Sequence, residues 1–367
     1  MAEEGVNTTT DQKNSINIDN ILGQISNKDN VSDIHIGWWE YISFRINWEI
    51  KKMENLPRLT QEMVELIVKQ LLKWNQKAYE KFMADKEADF SYIGADWTPY
   101  RVNAFFKLGR IWIVLRKINS NAIPLEKLMY DDIVENIKEK VLNKKSGLFL
   151  VTWPTGSGKS TTLISMLEYL NENRPEHIIT IEDPVEFIFE PKKAVVSQRE
   201  VWHDTWGFVN SLRAAMREDP DIVLVWEVRD KETAEAVLNL AETWHLVFST
   251  LHTKSASGTI NRLISFFPPE IQDSIADRMS EVLLGVQSQS LVKTAGWKWR
   301  AGIYEVMLNT SAVKNNIKKR QLPQIDNIIE TGTKQGMTTM TQYAKRLIND
   351  WVVKEETVSW LFSPWSW

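Results

Sequence analysis

Residues 151–163, VTWPTGSGKSTTL, limit the fold more than any other stretch of the chain. An apolar run, GLFLVT (147–152), leads into a loop with two glycines, and a helix is expected to open near Lys159. A buried strand that feeds a helix through such a loop implies a mostly parallel sheet with covered faces. The chemistry follows from the same order. Backbone N–H groups of the loop can surround phosphate oxygens, and the helix N-terminus adds partial positive charge. Pro154, Thr155, Gly156, Ser157 and Gly158 would form the cradle, with Thr161 in the first helical turn. Lys159 would bridge the β- and γ-phosphates and Ser160 would hold the metal, so ATP and Mg²⁺ are the expected cofactors. Trp153 departs from the pattern G-x-x-x-x-G-K-[ST], whose first residue is glycine. The alternative reading is a Ser/Gly turn that happens to precede a helix.

The same alternation continues through HIITIE (177–182), KAVVSQ (193–198), DIVLVW (221–226) and HLVFST (245–250), all strand candidates. A helix is expected at about 132–142, and 305–361 reads as helical. Three groups of polar residues sit at strand ends. IEDPVEF (181–187) clusters Glu182, Asp183 and Glu186, which can order Mg²⁺ or a water, or form a solvated acidic turn around Pro184. Glu227 follows an apolar strand and can orient or deprotonate an attacking water, or pair with Arg229 at the surface. His245 and His252 flank a strand and could lie near one end region of the sheet, or be structural; no Cys or H-x₃-H spacing supports zinc. Arg217 and Arg229 could neutralise phosphate charge across a subunit boundary, or make ordinary ion pairs.

The first third of the chain follows other rules. Residues 1–17 are polar and expected to be disordered. SDIHI (32–36), FRINWEI (44–50), ADFSYI (88–93), YRVNAFF (100–106) and RIWIVLRKI (110–118) read as strands. A helix is expected over 60–73, capped by Thr60, with Glu62 and Glu65 in its first turns. Residues 18–118 should therefore form a small α/β domain with an antiparallel sheet, 119–124 a linker ending in Pro124, and 125–367 a second domain. Two or three domains suit 367 residues. A net charge of −4 argues against a nucleic-acid-coating surface, and zero Cys excludes disulfides and Cys-ligated metal sites. With no apolar run of about 18 residues and no signal-peptide pattern, a cytoplasmic location is expected.

Four motifs occur in the order TGSGKST, IEDPVEF, LVWEVRD and ETWHLVFSTLHT. They resemble the Walker A, Asp, Walker B and His boxes of the secretion-type ATPases, which drive type II secretion and type IV pili. The resemblance spans about 18–355 and is nearest to the pilus-retraction branch. SQREVWHDTWGFVNSLRAAMREDPDIVLVWEVRD (197–230) and SAVKNNIKKRQLPQIDNIIETGTKQGMTTMTQ (311–342) are similar to that branch. The larger N-terminal region and four-Cys zinc module usual in assembly and type II relatives are missing, which favours retraction. The resemblance implies an α/β fold: a RecA-like P-loop core with a smaller N-terminal PAS-like domain. It implies a homo-hexamer at the cytoplasmic face of the inner membrane, working with a pilus platform protein and touching the membrane only through partners. It also implies roles: Glu227 as catalytic carboxylate, Glu186 in the Asp box, His245 and His252 as γ-phosphate sensors or couplers. Arg101 and Arg116 match arginines that approach a neighbour's nucleotide. Extension or secretion ATPases, and a catalytically weak scaffold subunit, are the competing readings; nucleic acid is not an expected partner.

The composition carries one further signal. Glycine counts 15 and tryptophan 17 in 367 residues, whereas glycine ordinarily makes up about 7%. Trp153, Trp226 and Trp244 stand where the resembled family has glycine, and Trp39, Trp48, Trp112, Trp299 and Trp351 fall at further such positions. A codon such as UGA, read as tryptophan by one code and glycine by another, would give this pattern. Genuine tryptophan, through engineering or relaxed selection, is the alternative.

Overall fold

A computed structural model describes residues 16–26, 28, 31–46, 49–118, 121–201, 203–205, 207–296 and 299–362. It divides the chain into one unit made of Met1–Ser120 with Asp183–Ile188, and another made of Asn121–Glu182 with Phe189–Trp367.

The first unit runs α1 (Ile18–Ser26), β1 (Val31–Gly37), β2 (Ser43–Ile46), β3 (Glu49–Lys52), α2 (Gln61–Leu71), α3 (Gln76–Asp85), β4 (Glu87–Ile93), β5 (Pro99–Lys107) and β6 (Arg110–Lys117). The six strands form one sheet in the order β3-β2-β1-β6-β5-β4, and every neighbouring pair is antiparallel. Its grammar is strict alternation: in β6, Ile111, Ile113 and Leu115 are buried while their neighbours are not. Those residues share a core with Val64, Ile67, Val68 and Leu71 from one face of α2. Thr60 caps α2, its hydroxyl accepting from the Met63 N–H at 3.3 Å. FRINWEI contributes to two strands, β2 and β3, on either side of 47–48, which lie outside the described residues together with Trp48, 1–15 and 119–120.

The second unit continues with α4 (Leu125–Leu128), α5 (Asp131–Ile137) with a π-turn to Leu142, β7 (Gly147–Thr152), α6 (Lys159–Asn173), β8 (His177–Glu182) and β9 (Val195–Glu200). Next come α7 (Phe208–Ala215), β10 (Ile222–Val225), α8 (Lys231–Glu242), β11 (Leu246–Leu251), α9 (Ala256–Ser265) and α10 (Gln272–Val282). The last elements are β12 (Leu283–Lys293), β13 (Arg300–Leu308), α11 (Ser311–Lys318), α12 (Pro323–Thr331), α13 (Met340–Asn349) and α14 (Glu355–Val358). The sheet order is β13-β12-β7-β11-β10-β8-β9, parallel throughout except for β13 against β12. Every residue of β7, β10 and β11 is buried, as a sheet covered on both faces requires. The expected strands are all present. The helical reading of 305–361 fails at its start, because residues 305–308 end β13 and pair with β12, Glu305 opposite Ser288 and Leu308 opposite Gly285. A short apolar run fits a buried strand and a helix equally well by periodicity.

Candidate functional site

Strands β7, β10 and β11 run parallel and side by side, so their C-terminal ends open on one edge of the sheet. Ligands in open α/β sheets bind at that edge. The loop after β7 carries Gly156 at φ 83° and Gly158 at φ 87°, and Gly158 is the N-cap of α6. No side chain caps this helix, so its first N–H groups face whatever enters the loop, an arrangement suited to phosphate. The Lys159 ammonium donates to the carbonyls of Trp153 at 2.5 Å and Pro154 at 3.4 Å, which lays it along the loop. Ser160 follows in the first helical turn. Among the described residues no group of three or more His, Asp or Glu could hold a metal. Ser160 is the residue that could hold a Mg²⁺ ion beside phosphate oxygens and water.

The loop after β10 supplies Glu227, whose side chain is 15% exposed. One carboxylate oxygen lies 2.7 Å from Arg229 Nε and the other 3.2 Å from His252 Nε2, which stands just past β11. One backbone and one side-chain bond hold this geometry: Val228 N–H donates to the Thr250 carbonyl at 3.0 Å, and the Thr250 hydroxyl donates to the Trp226 carbonyl at 2.5 Å. Burial, and after it the Lys159 charge, hold the His252 imidazole below its ordinary pKa, while Glu227 opposes them. The ring is thus neutral near pH 7 and close enough to Lys159 to feel its field.

His245 is elsewhere. It precedes the first residue of β11, and its Nδ1 lies 3.0 Å from the Leu240 carbonyl at the end of α8. Because β11 pairs with β7 as Leu246 to Gly147 and Leu251 to Thr152, His245 sits at the end of the sheet opposite the phosphate loop. At about 3.3 Å per residue a strand of this length keeps the two histidines roughly 20 Å apart, so they do not share an end region. Arg217 lies exposed just past α7.

The remaining expected residues fall in the first unit. Arg101 and Arg116 are directly paired across β5 and β6, two like charges on one face of the sheet. Asp89 holds Arg101 at 2.6 Å and Asp33 holds Arg116 at 2.8 Å. Glu186 lies in the Asp183–Ile188 segment that groups with this unit, 3.4 Å from Arg101.

With this geometry in view, comparison with known proteins is specific. The family model for type II/IV secretion system proteins matches residues 8–358. This chain belongs to that family. It is 40% identical over 332 residues to the type IV pilus retraction ATPase PilT of Pseudomonas aeruginosa, covering 90% of this chain and 94% of the relative. A twitching motility protein of Neisseria gonorrhoeae is 38% identical over 85% of this chain and 82% of its own length. The crystal structure of the pilus retraction motor PilT with bound ADP superposes with a TM-score of 0.82 at 36% identity, covering 95% and 97% of the two chains.

Several residues that support the family's phosphate loop here were not evident from sequence. Gln289 of β12 donates to the Ser157 carbonyl at 3.0 Å and accepts from the Thr162 hydroxyl at 2.9 Å, tying loop and α6 to the sheet. Thr152, at the end of β7, donates to Ser288 at 3.1 Å, and Ser288 reaches Glu305 of β13 at 3.4 Å. Burial pushes the Glu305 carboxyl up to about 7. The signal is the polar run QSQS (287–290) inside an otherwise apolar stretch; buried polar side chains need partners, and Gln289 bonds Gln287 and the loop while Ser288 bonds Thr152 and Glu305. Among the described residues no helix is long and apolar enough to cross a membrane.

Proposed function

We propose that this chain is an ATP-hydrolysing motor that retracts type IV pili, assembled as a homo-hexamer and acting on a pilus platform protein at the cytoplasmic face of the inner membrane. The observation that carries the reading is Glu227, held between Arg229 and His252 at the strand edge that bears the phosphate loop. The relatives named PilT give the reading its cellular task.

In this mechanism the loop N–H groups and Lys159 bind the ATP phosphates, and Lys159 stabilises the charge that develops on the transferred group. Mg²⁺, held through Ser160, supplies Lewis acidity at the phosphates when bound. Glu227 orients the attacking water and takes its proton. Arg229 and His252 each hold one carboxylate oxygen and so fix the carboxylate for that role, and the neutral His252 ring can report whether the γ-phosphate is present. Arg101 and Arg116 lie side by side, each held by a carboxylate of its own unit, Asp89 and Asp33. In the proposed ring, as the family resemblance implies, the two arginines approach a neighbouring subunit's nucleotide.

Steady-state turnover and nucleotide binding test the assignment. Glu227→Gln is expected to bind ATP yet hydrolyse it at least ~10²-fold more slowly, the scale of a lost general base. Full turnover in that variant would overturn the role of Glu227. In the source organism, cells lacking the chain should assemble pili and fail to retract them; cells without pili would point to extension instead.

A further inference from the structure

Tryptophan supplies 17 of 367 residues, yet among the described residues it takes six of the eleven non-glycine positions with positive φ. These are Trp39 (61°), Trp74 (59°), Trp97 (62°), Trp153 (149°), Trp244 (69°) and Trp351 (58°). A Cβ in this region crowds the flanking backbone, and the side chains that enter it with least penalty are Asn, Asp and His. Tryptophan has neither their size nor their local hydrogen bonds.

The surroundings are those of glycine. After α13, the Val352 N–H donates to Leu347 at 2.9 Å and the Trp351 N–H to Ile348 at 3.0 Å. That pair of bonds ends a helix on one left-handed residue, usually glycine. Trp244 holds the same place after α8, where the His245 N–H reaches back to Leu240 at 3.4 Å. In the turn from β4 to β5, the Trp97 N–H donates to Gly94, and the Gly94 N–H to Thr98, both at 2.9 Å. A turn closed by one left-handed residue is a hairpin form that favours glycine there. Nor do the rings offset the strain by packing: Trp97 is 83% exposed, Trp244 82% and Trp351 87%.

We propose that these six residues are glycine in the protein as its organism makes it, each encoded by a codon such as UGA that the organism decodes as glycine. The criterion is backbone conformation, independent of the motor function and of any relative. It adds Trp74 and Trp97 to the positions expected from sequence and does not select Trp112, Trp226 or Trp299. Trp112 indeed lies over Gly37 across the β1–β6 pairing, with the Lys107 ammonium 4.2 Å from its ring centroid, contacts that glycine would lose. For the phosphate loop the consequence is direct. Trp153 at φ 149° becomes a residue free to adopt that conformation, and its ring, 6.5 Å from that of Trp360, is removed.

The test reads the gene and the protein. Non-UGG codons at the six positions, and peptides from protein purified from the source organism lighter at each by an indolylmethyl group, are expected. UGG codons there, or tryptophan-mass peptides spanning 97, 244 or 351, overturn the proposal. A second measurement needs only recombinant chain: Trp244→Gly with Trp351→Gly should lower the unfolding equilibrium constant by about threefold or more per site, the scale of a relieved left-handed side chain. Trp→Ala at the same sites keeps a Cβ and should show no such gain; equal stabilisation by alanine refutes the strain argument. Neither measurement depends on ATPase activity, so failure of the motor assignment and failure of this inference are separable.

Discussion

Glu305→Gln should flatten the dependence of stability on pH between about 5 and 7. Glu305 is 6% exposed on β13, and one carboxylate oxygen accepts from the Ala256 N–H at 2.8 Å and from Ser288 at 3.4 Å. Burial is the main cause that raises its pKa from 4.5 to about 7, with Asp326 adding to it, while the two hydrogen bonds work against it. The folded pKa lies above the unfolded one, so the folded state holds the proton more tightly. The stability this contributes is complete below pH 4.5 and is lost as pH rises through 7. At about 1.4 kcal/mol per pH unit, the interval amounts to roughly 3 kcal/mol as an upper figure, and relaxation around a charged carboxylate brings it to about 1–3 kcal/mol. Glutamine keeps an acceptor for Ala256 and cannot ionise. Urea unfolding of both proteins at pH 5, 6, 7 and 8, without nucleotide, measures the difference, and taking variant against wild type cancels every other titrating group. The variant should gain on the wild type by that amount between pH 5 and 8. Parallel pH profiles would refute the reasoning.

Two further outcomes follow from the site. Gln289→Leu leaves the Ser157 carbonyl and Thr162 hydroxyl without this partner, so it should cost about 1–3 kcal/mol in urea melts and weaken nucleotide binding measured by calorimetry. His245→Ala, at the far end of the sheet, should leave steady-state turnover within about twofold, whereas His252→Ala should lower it by about tenfold or more.

The parts of this protein legible from sequence are those where one physical demand dominates. GLFLVT before TGSGKST reads as a buried strand feeding a helix because the glycine loop bounds the apolar run, and β7, its loop and α6 lie where that logic puts them. Alternation in RIWIVLRKI was equally plain, because one face of β6 meets a core and the other does not. The rest required the third dimension. Glu227, Arg229 and His252 come together through the parallel register of β10 and β11, which no local spacing encodes. The same register separates His245 from His252. β12 is not evident from the sequence because Gln287, Ser288 and Gln289 interrupt its apolar pattern, and their partners lie in β7, α6, β13 and the phosphate loop. Trp74 and Trp97 became conspicuous only once backbone conformation was known.

The segment Asp183–Ile188 has a consequence for how such chains can be recombined. The polypeptide leaves the second unit after Glu182, contributes six residues to the first, and returns at Phe189, although β8 and β9 on either side are paired neighbours. The N-terminal unit is therefore not a detachable cassette. A fragment cut before Asn121 would keep Arg101 yet lose Glu186, and a chimaera exchanging only the N-terminal part between two relatives would complete the first unit with the other parent's segment. An exchange of the first unit that respects its boundaries must therefore carry residues 183–188 as well as 1–120.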